Sequence, residues 1–223
     1  LDQVEKLDTA SVVSYSTTTD QGWKLRKIFT VYNDRYEIGV RIEAVPTKKD
    51  AKALSLRLFV PSPVVNPAAK EAVSAFVAGL NDRSIRIVDA SDLLHAATRP
   101  GLFGTQSRYF THGLVQDNEN FAQMAYFSQI GNSLVSIFAA APAQSAMSWN
   151  MSFYIGPKDI QDLAVVDNRL EGLLNFGMLS WLCKLLLMFL SFLYSFLGNY
   201  GIAIIALTLI IKIPLLPLSI KAA

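Results

Sequence analysis

Residues 23–45 read WKLRKIFTVYNDRYEIGVRIEAV. Apolar and basic residues alternate from Trp23 to Tyr32, Asn33-Asp34 is a turn signal, and the alternation resumes over residues 35–45. A period of two places every second side chain on the same face of a strand, so the stretch predicts a β-hairpin with one buried face. Acidic residues interrupt the basic ones, which favours a solvated strand face over a binding patch.

Further strand patterns lie downstream of this hairpin, each closed by a turn signal. They are ALSLRLFV at 53–60, IRIVDA at 85–90, FAQMAYFSQI at 121–130, SLVSIFAAAP at 133–142 and MSWNMSFYIGP at 147–157. Residues 1–20 fit a strand or a linker, residues 67–80 a short helix or a loop, and residues 91–95 a capped helical turn. Many short strands at regular intervals predict a mainly β fold, a β-sandwich domain over residues 1–157.

Composition narrows the possible functions. The 223-residue chain has a net charge of +2, which gives no electrostatic argument for nucleic-acid binding. Its two histidines, His95 and His112, lack metal-ligand spacing and are accompanied by no carboxylate pair or nucleophile motif. The single cysteine, Cys183, cannot form an intrachain disulfide. We therefore expect no catalytic residue, no metal and no cofactor.

The character of the chain changes after Pro157. Residues 158–174 have apolar positions at helical spacing and predict a connecting helical segment at a membrane surface. Residues 175–197 are almost wholly apolar, but their polar side chains lie within roughly 60° on a helical wheel. These polar residues are Ser180, Lys184, Ser191 and Ser195. The narrow polar face favours an amphipathic helix lying in the membrane interface. A second membrane-spanning helix, paired with the next one, is the alternative.

Residues Gly201 to Ile220 read GIAIIALTLIIKIPLLPLSI. About twenty mainly apolar residues are enough to cross roughly 30 Å of hydrocarbon, so residues 198–223 predict a transmembrane helix. Lys212 lies near its middle, on the same face as Thr208. One interpretation is that Lys212 extends toward the headgroups, and the other is that it faces a wet cavity or a partner. The chain ends just past this segment, so we interpret it as a fragment of a longer protein.

The residues after Gly156 resemble the bacterial YidC family of membrane protein insertases. The resemblance rests on the Gly198-Asn199-Tyr200-Gly201 turn before an Ile-rich segment, on Thr208 with a cation four residues later, and on Pro217-Leu218. RYF at 108–110, FYIGPKD at 153–159 and the hairpin at 23–45 are also similar to that family. The cation is often Arg in the family, whereas Lys212 keeps the charge without the planar fork of donors.

The resemblance implies a fold, a function and partners. It implies a periplasmic super-β-sandwich, an interfacial helix and the first spanning helix of the insertase core, in the bacterial cytoplasmic (inner) membrane. Lys212 and Thr208 would line a hydrophilic groove that receives polar parts of nascent membrane proteins, without covalent chemistry. The implied partners are nascent membrane proteins, the lipid bilayer, the Sec translocon and, through regions absent here, the ribosome. A membrane-anchored carbohydrate-binding or mutarotase-like module and a tethered periplasmic scaffold are the alternatives.

Overall fold

The computed structural model describes residues 2–48, 50–64, 73–80, 85–88, 96–130, 133–174 and 180–222. The strands are β1 Gln3–Lys6, β2 Ala10–Thr18, β3 Trp23–Tyr32, β4 Glu37–Pro46, β5 Arg57–Pro61, β6 Ser74–Ala78, β7 Arg86–Val88, β8 Ala96–Thr98, β9 Leu102–Gln106, β10 Phe110–Asp117, β11 Met124–Ile130, β12 Ser133–Ala139 and β13 Met147–Pro157. The helices are α1 Ile160–Val166, a 3₁₀ helix Asn168–Leu173, α2 Ser180–Leu197 and α3 Tyr200–Ala222. The chain divides into two compact units, Leu1–Leu174 and Asn175–Ala223.

The first unit contains two antiparallel sheets. The larger has nine strands in the order β1-β2-β3-β4-β13-β10-β9-β6-β7, and the smaller has four in the order β5-β12-β11-β8. The predicted hairpin is confirmed as β3 and β4, paired from Trp23 opposite Pro46 to Val31 opposite Ile38. The predicted strands near the end of the β region are confirmed as β11, β12 and β13.

The two sheets pack face to face around one apolar core. Phe103 of the large sheet stacks on Phe127 of the small sheet with ring centroids 4.1 Å apart. Phe138 of the small sheet meets Phe153 of the large sheet edge-on at 5.6 Å. Aromatic pairs in such geometries add roughly 0.5–1.5 kcal/mol beyond area burial. The predicted β-sandwich is therefore confirmed.

A second, smaller core lies on the opposite face of the nine-stranded sheet. Successive residues of β6 alternate between the cores, since Ala75 and Val77 join the first while Phe76 and Ala78 join the second. Residues 158–174 cover this second face with Leu163, Leu170 and Leu173, each at most 1% exposed. The segment predicted to connect the domain to the membrane is thus part of the first unit. Its position at a membrane surface stays a prediction.

Two capping carboxylates shape this covering segment. Asp159 accepts a hydrogen bond of 2.8 Å from the amide of Gln161 and so begins α1. Asp167 accepts one of 2.8 Å from the amide of Arg169 and begins the 3₁₀ helix. Side-chain acceptors of this kind satisfy amide groups that have no partner within the helix.

Some local predictions require correction. Within the segment assigned to a helix or a loop, Ser74–Ala78 forms strand β6. Four of its five residues are buried, and these residues lie on both faces of the strand. The strand therefore lacks the alternation of buried and exposed side chains that identifies a half-exposed strand. The strand expected at 53–60 begins later, at Arg57. Residues 1–20, left open between strand and linker, contain strands β1 and β2. The helical turn predicted at 91–95 lies outside the described residues.

The second unit contains helices α2 and α3. The interfacial segment expected at 175–197 is helical from Ser180, and α3 is one uninterrupted helix through residues 214 and 217. In the described parts of the chain, no helix is long and apolar enough to span a membrane.

Candidate functional site in the two-helix unit

The turn between α2 and α3 accounts for the Gly198-Asn199 motif. Gly198 has a positive φ of 63°, a conformation that glycine adopts without steric cost, and its amide donates to the carbonyl of Tyr194 at 2.8 Å. The Asn199 side-chain oxygen accepts from the amides of Gly201 at 2.8 Å and Ile202 at 3.4 Å. Gly198 therefore ends one helix while Asn199 caps the next.

Thr208 and Lys212 lie four residues apart on α3 and so on one face. The Thr208 hydroxyl donates to the carbonyl of Ile204 at 2.8 Å, which satisfies it inside the helix. Lys212 is exposed, and the apolar Ile205 and Ile213 on the same helix are each 63% exposed. Lys212 thus lies on a helix whose surrounding surface is apolar.

Lys212 has no acidic partner in its own unit. The sequence contains no Asp or Glu after Glu171, so residues 172–223 carry lysines as their only charged side chains. A charge in apolar surroundings is costly unless it is paired or hydrated. The negative charge that pairs with Lys212 must therefore come from outside the second unit, either from another segment or from another molecule.

The predicted polar face of α2 is only partly described. Ser191 and Ser195 are exposed, and the Ser195 hydroxyl donates to the carbonyl of Phe192 at 2.7 Å. Ser180 and Lys184 belong to α2, but their side chains lie outside the described ones. The interfacial position of α2, with a membrane-spanning α2 as the alternative, stays a prediction.

Large apolar side chains are exposed on both helices. On α2 they include Leu185, Met188, Phe192 and Phe196, and on α3 they include Ile202, Ile204, Ile205, Leu209 and Ile213. Met188 is 69% exposed and Phe196 is 77% exposed. Contiguous exposed apolar surface marks a protein or membrane contact. The exposed apolar side chains of the second unit therefore indicate a surface that contacts protein or lipid.

In the first unit, the two sequence landmarks RYF and FYIGPKD meet in space. The amide of Lys158 donates to the carbonyl of Tyr109 at 2.7 Å, and Phe110 lies opposite Pro157 in the β10–β13 pairing. The Lys158 ammonium donates to the Gln106 side-chain oxygen at 2.9 Å, and burial lowers the pKa of Lys158. Sequence reasoning missed this junction because its partners are distant in the chain. Its contacts fix the end of β13.

His112 is structural in its contacts. Its Nδ1 lies 2.9 Å from the carbonyl oxygen of Pro61, and desolvation by burial lowers the pKa of the imidazole. The described residues contain no group of three His, Cys, Asp or Glu side chains that could hold a metal ion. His95 lies outside the described residues.

Acid should lower the stability of the first unit because His112 becomes protonated more readily in the unfolded chain. The folded-state pKa lies below the ordinary value of 6.5, so the unfolded chain binds the proton more readily as the pH falls. The free energy of unfolding should therefore decrease as the pH drops below about 6.5. Denaturant unfolding at several pH values checks this, with His112→Gln as the comparison. Equal pH dependence of both proteins between about pH 5 and about pH 7.5 would contradict the role of His112.

The chain thus combines a two-sheet β-sandwich with an apolar helical unit that follows it in the sequence. The family model for the YidC periplasmic domain matches residues 2–189, so the chain belongs to that family. It is 30% identical over 220 residues to the membrane protein insertase YidC of Geobacter sp. strain M21 and likewise to that of Citrifermentans bemidjiense. The matches cover 93% and 94% of this chain but only 40% and 41% of the relatives.

Two solved structures have a similar arrangement. A putative aldose 1-epimerase of Escherichia coli K12 gives a TM-score of 0.42 at 7% identity, covering 69% of this chain and 67% of that one. A galactose mutarotase related enzyme of Lactobacillus acidophilus gives 0.37 at 8% identity, covering 69% and 70%. Neither similarity is close enough to bear on function. The curated relatives are named as insertases, not as enzymes.

Proposed function

We propose that the chain is part of a membrane protein insertase of the bacterial cytoplasmic membrane. The first unit would lie in the periplasm, α2 in the membrane interface and residues 201–220 across the bilayer. Lys212 carries the proposal, because it is a cation on an apolar helix in a unit without a single carboxylate. Family membership supports the activity, and the apolar surface of α2 and α3 supports the membrane location.

The mechanism follows from the energetic cost of moving polar groups through hydrocarbon. A charged side chain at the centre of a bilayer costs about 2.5–3.5 kcal/mol on insertion scales. A wet wall formed by Lys212 and the Thr208 hydroxyl would hydrate the polar tail of an incoming segment and attract its acidic residues. The barrier to translocation falls because the tail crosses less hydrocarbon, and no covalent bond forms or breaks.

The partners in this proposal are nascent membrane proteins and lipid. Other walls of a groove, and contacts with a ribosome, would come from segments of the relatives that this chain does not cover. Cooperation with the Sec translocon is proposed from the family alone. The exposed apolar residues of α2 and α3 would contact acyl chains or the remaining helices.

The proposed orientation predicts which side of the membrane each unit occupies. Lys221 follows the apolar segment, and the positive-inside tendency places it in the cytoplasm and the first unit outside. In a cysteine-free full-length protein, Asp34→Cys should react with a membrane-impermeant thiol reagent in intact cells, since Asp34 is an exposed turn residue. Ala222→Cys, the matched control that keeps the charge of Lys221, should react only after lysis. The reverse labelling pattern would contradict the orientation.

A further inference from the structure

An open cleft of about 400 Å³ lies in the first unit. One wall is the inner face of β2, β3 and β4, and the other is the start of β5 with Phe121. Its volume is in the usual range for ligand sites. The cleft exists because the four-stranded sheet does not cover this part of the nine-stranded sheet.

The floor of the cleft is apolar with one cation at its centre. Tyr15, Lys27 and Ile42 lie opposite one another on adjacent strands, in a row across β2, β3 and β4. The Lys27 ammonium lies 5.4 Å from the centroid of the Phe29 ring, which also meets Tyr15 edge-on at 6.2 Å. Lys27 thus presents a positive charge within an aromatic surface.

The charges around the cleft have one sign. Arg57 contributes a second cation from the opposite wall, and the residues lining the cleft include Arg26 but no Asp or Glu. Neither Lys27 nor Arg57 forms an ion pair with a described residue. The complementary ligand is therefore apolar with a negatively charged group.

The second wall also offers unpaired backbone groups. β5 is an edge strand of the four-stranded sheet. The residues that flank it continue its pairing with β12, because Ala140 N donates to Leu56 O and Ser62 N donates to Leu134 O, so the even-numbered positions face β12. The amide and carbonyl of Arg57 therefore point to the free edge, by the alternation of an antiparallel ladder. An edge of this kind pairs with an added strand.

We propose that this cleft binds an extended peptide segment with alternating apolar residues and one acidic side chain. The peptide main chain adds to the free edge of β5 at Arg57, its apolar side chains contact Leu25, Phe29 and Ile42, and its carboxylate pairs with Lys27. The unpaired backbone groups favour a peptide over a lipid, because an acyl chain cannot satisfy them. This binding function is separate from insertion and does not depend on Lys212.

The test uses labelled peptides and the whole chain in detergent. Fluorescence anisotropy compares TLTETLT with TLTQTLT, whose central residue is neutral. The acidic peptide should bind about tenfold more tightly, because it alone forms a charge-assisted bond with Lys27. Lys27→Met should abolish that preference. Lys24→Met, the matched control on the opposite face of β3, should preserve it.

Backbone pairing is tested with two N-methylated forms of the acidic peptide, one for each set of alternate residues. One of the two forms should lose binding, because its donors toward the β5 edge are removed. Equal binding of both forms and the parent peptide would overturn the proposal in favour of a simple amphiphile. Equal affinity for the acidic and neutral peptides, or equal effects of Lys27→Met and Lys24→Met, would also overturn it.

Discussion

Replacing Lys212 by glutamate is expected to reduce insertion of substrates with acidic translocated tails by at least about tenfold. The substitution turns an attraction for the tail into a repulsion. No other acidic or basic side chain lies between Lys184 and Lys221 to compensate. Insertion of a matched substrate with a neutral tail should fall much less, because that tail has no charge to repel. The measurement is insertion of both substrates in cells with the variant as the only copy.

Two further substitutions separate charge from anchoring. Lys212→Arg should be tolerated, because guanidinium keeps the charge. Lys212→Ala should impair the acidic substrate more than the neutral one. If Lys212 only extends toward the headgroups, all three variants should insert both substrates normally once protein levels are matched. Equal efficiency for the two substrates in Lys212→Ala would remove the proposed role of the charge.

Gly104→Ala should destabilise the first unit by about 3 kcal/mol, a large fraction of the stability of a domain. A Cβ at Gly104 would lie 2.5 Å from the Cα of Gly113 and 2.7 Å from the ring of Phe76. Backbone of the paired strand β10 cannot withdraw without disrupting its pairing, so the cost of overpacking is high. Urea unfolding of the chain, followed by Trp fluorescence, measures the change.

Gly39→Ala is the matched control for Gly104→Ala. Gly39 also lies in the nine-stranded sheet, but its added Cβ would meet Thr30 at 3.5 Å, an ordinary contact. This variant should be neutral or up to about 1 kcal/mol more stable, because alanine loses less conformational entropy on folding. A similar loss of stability in both variants would contradict this explanation. It would show that replacing any glycine in these strands is destabilising, whether or not the added Cβ meets a close neighbour.

The sequence predicted best where local patterns suffice. The β3–β4 hairpin was visible because its strands are half-buried and alternate, as Trp23 and Ala44 are buried while Lys24 and Val45 are exposed. The Gly198-Asn199 turn was visible because both residues act locally, through a positive φ and a cap. Such features depend on neighbours within a few residues.

Long-range features were not predictable in this way. Strand β6 has no alternation because Phe76 and Val77 are buried on opposite faces by different elements. The contact of Lys158 with Gln106 joins residues 52 positions apart. The cleft around Lys27 depends on where β5 ends relative to the larger sheet. In each case the deciding partner is brought in by tertiary packing, which a single sequence does not encode in any local pattern.

Reconstitution tests the proposed insertase function most directly. Full-length protein that contains this chain is placed in liposomes, a substrate with an acidic tail is synthesised in their presence, and protease then digests whatever remains outside. The proposal predicts a protected substrate fragment with the wild-type protein and a strongly reduced yield with Lys212→Glu at equal protein content. A yield with the wild-type protein no higher than with empty liposomes would contradict the proposed function.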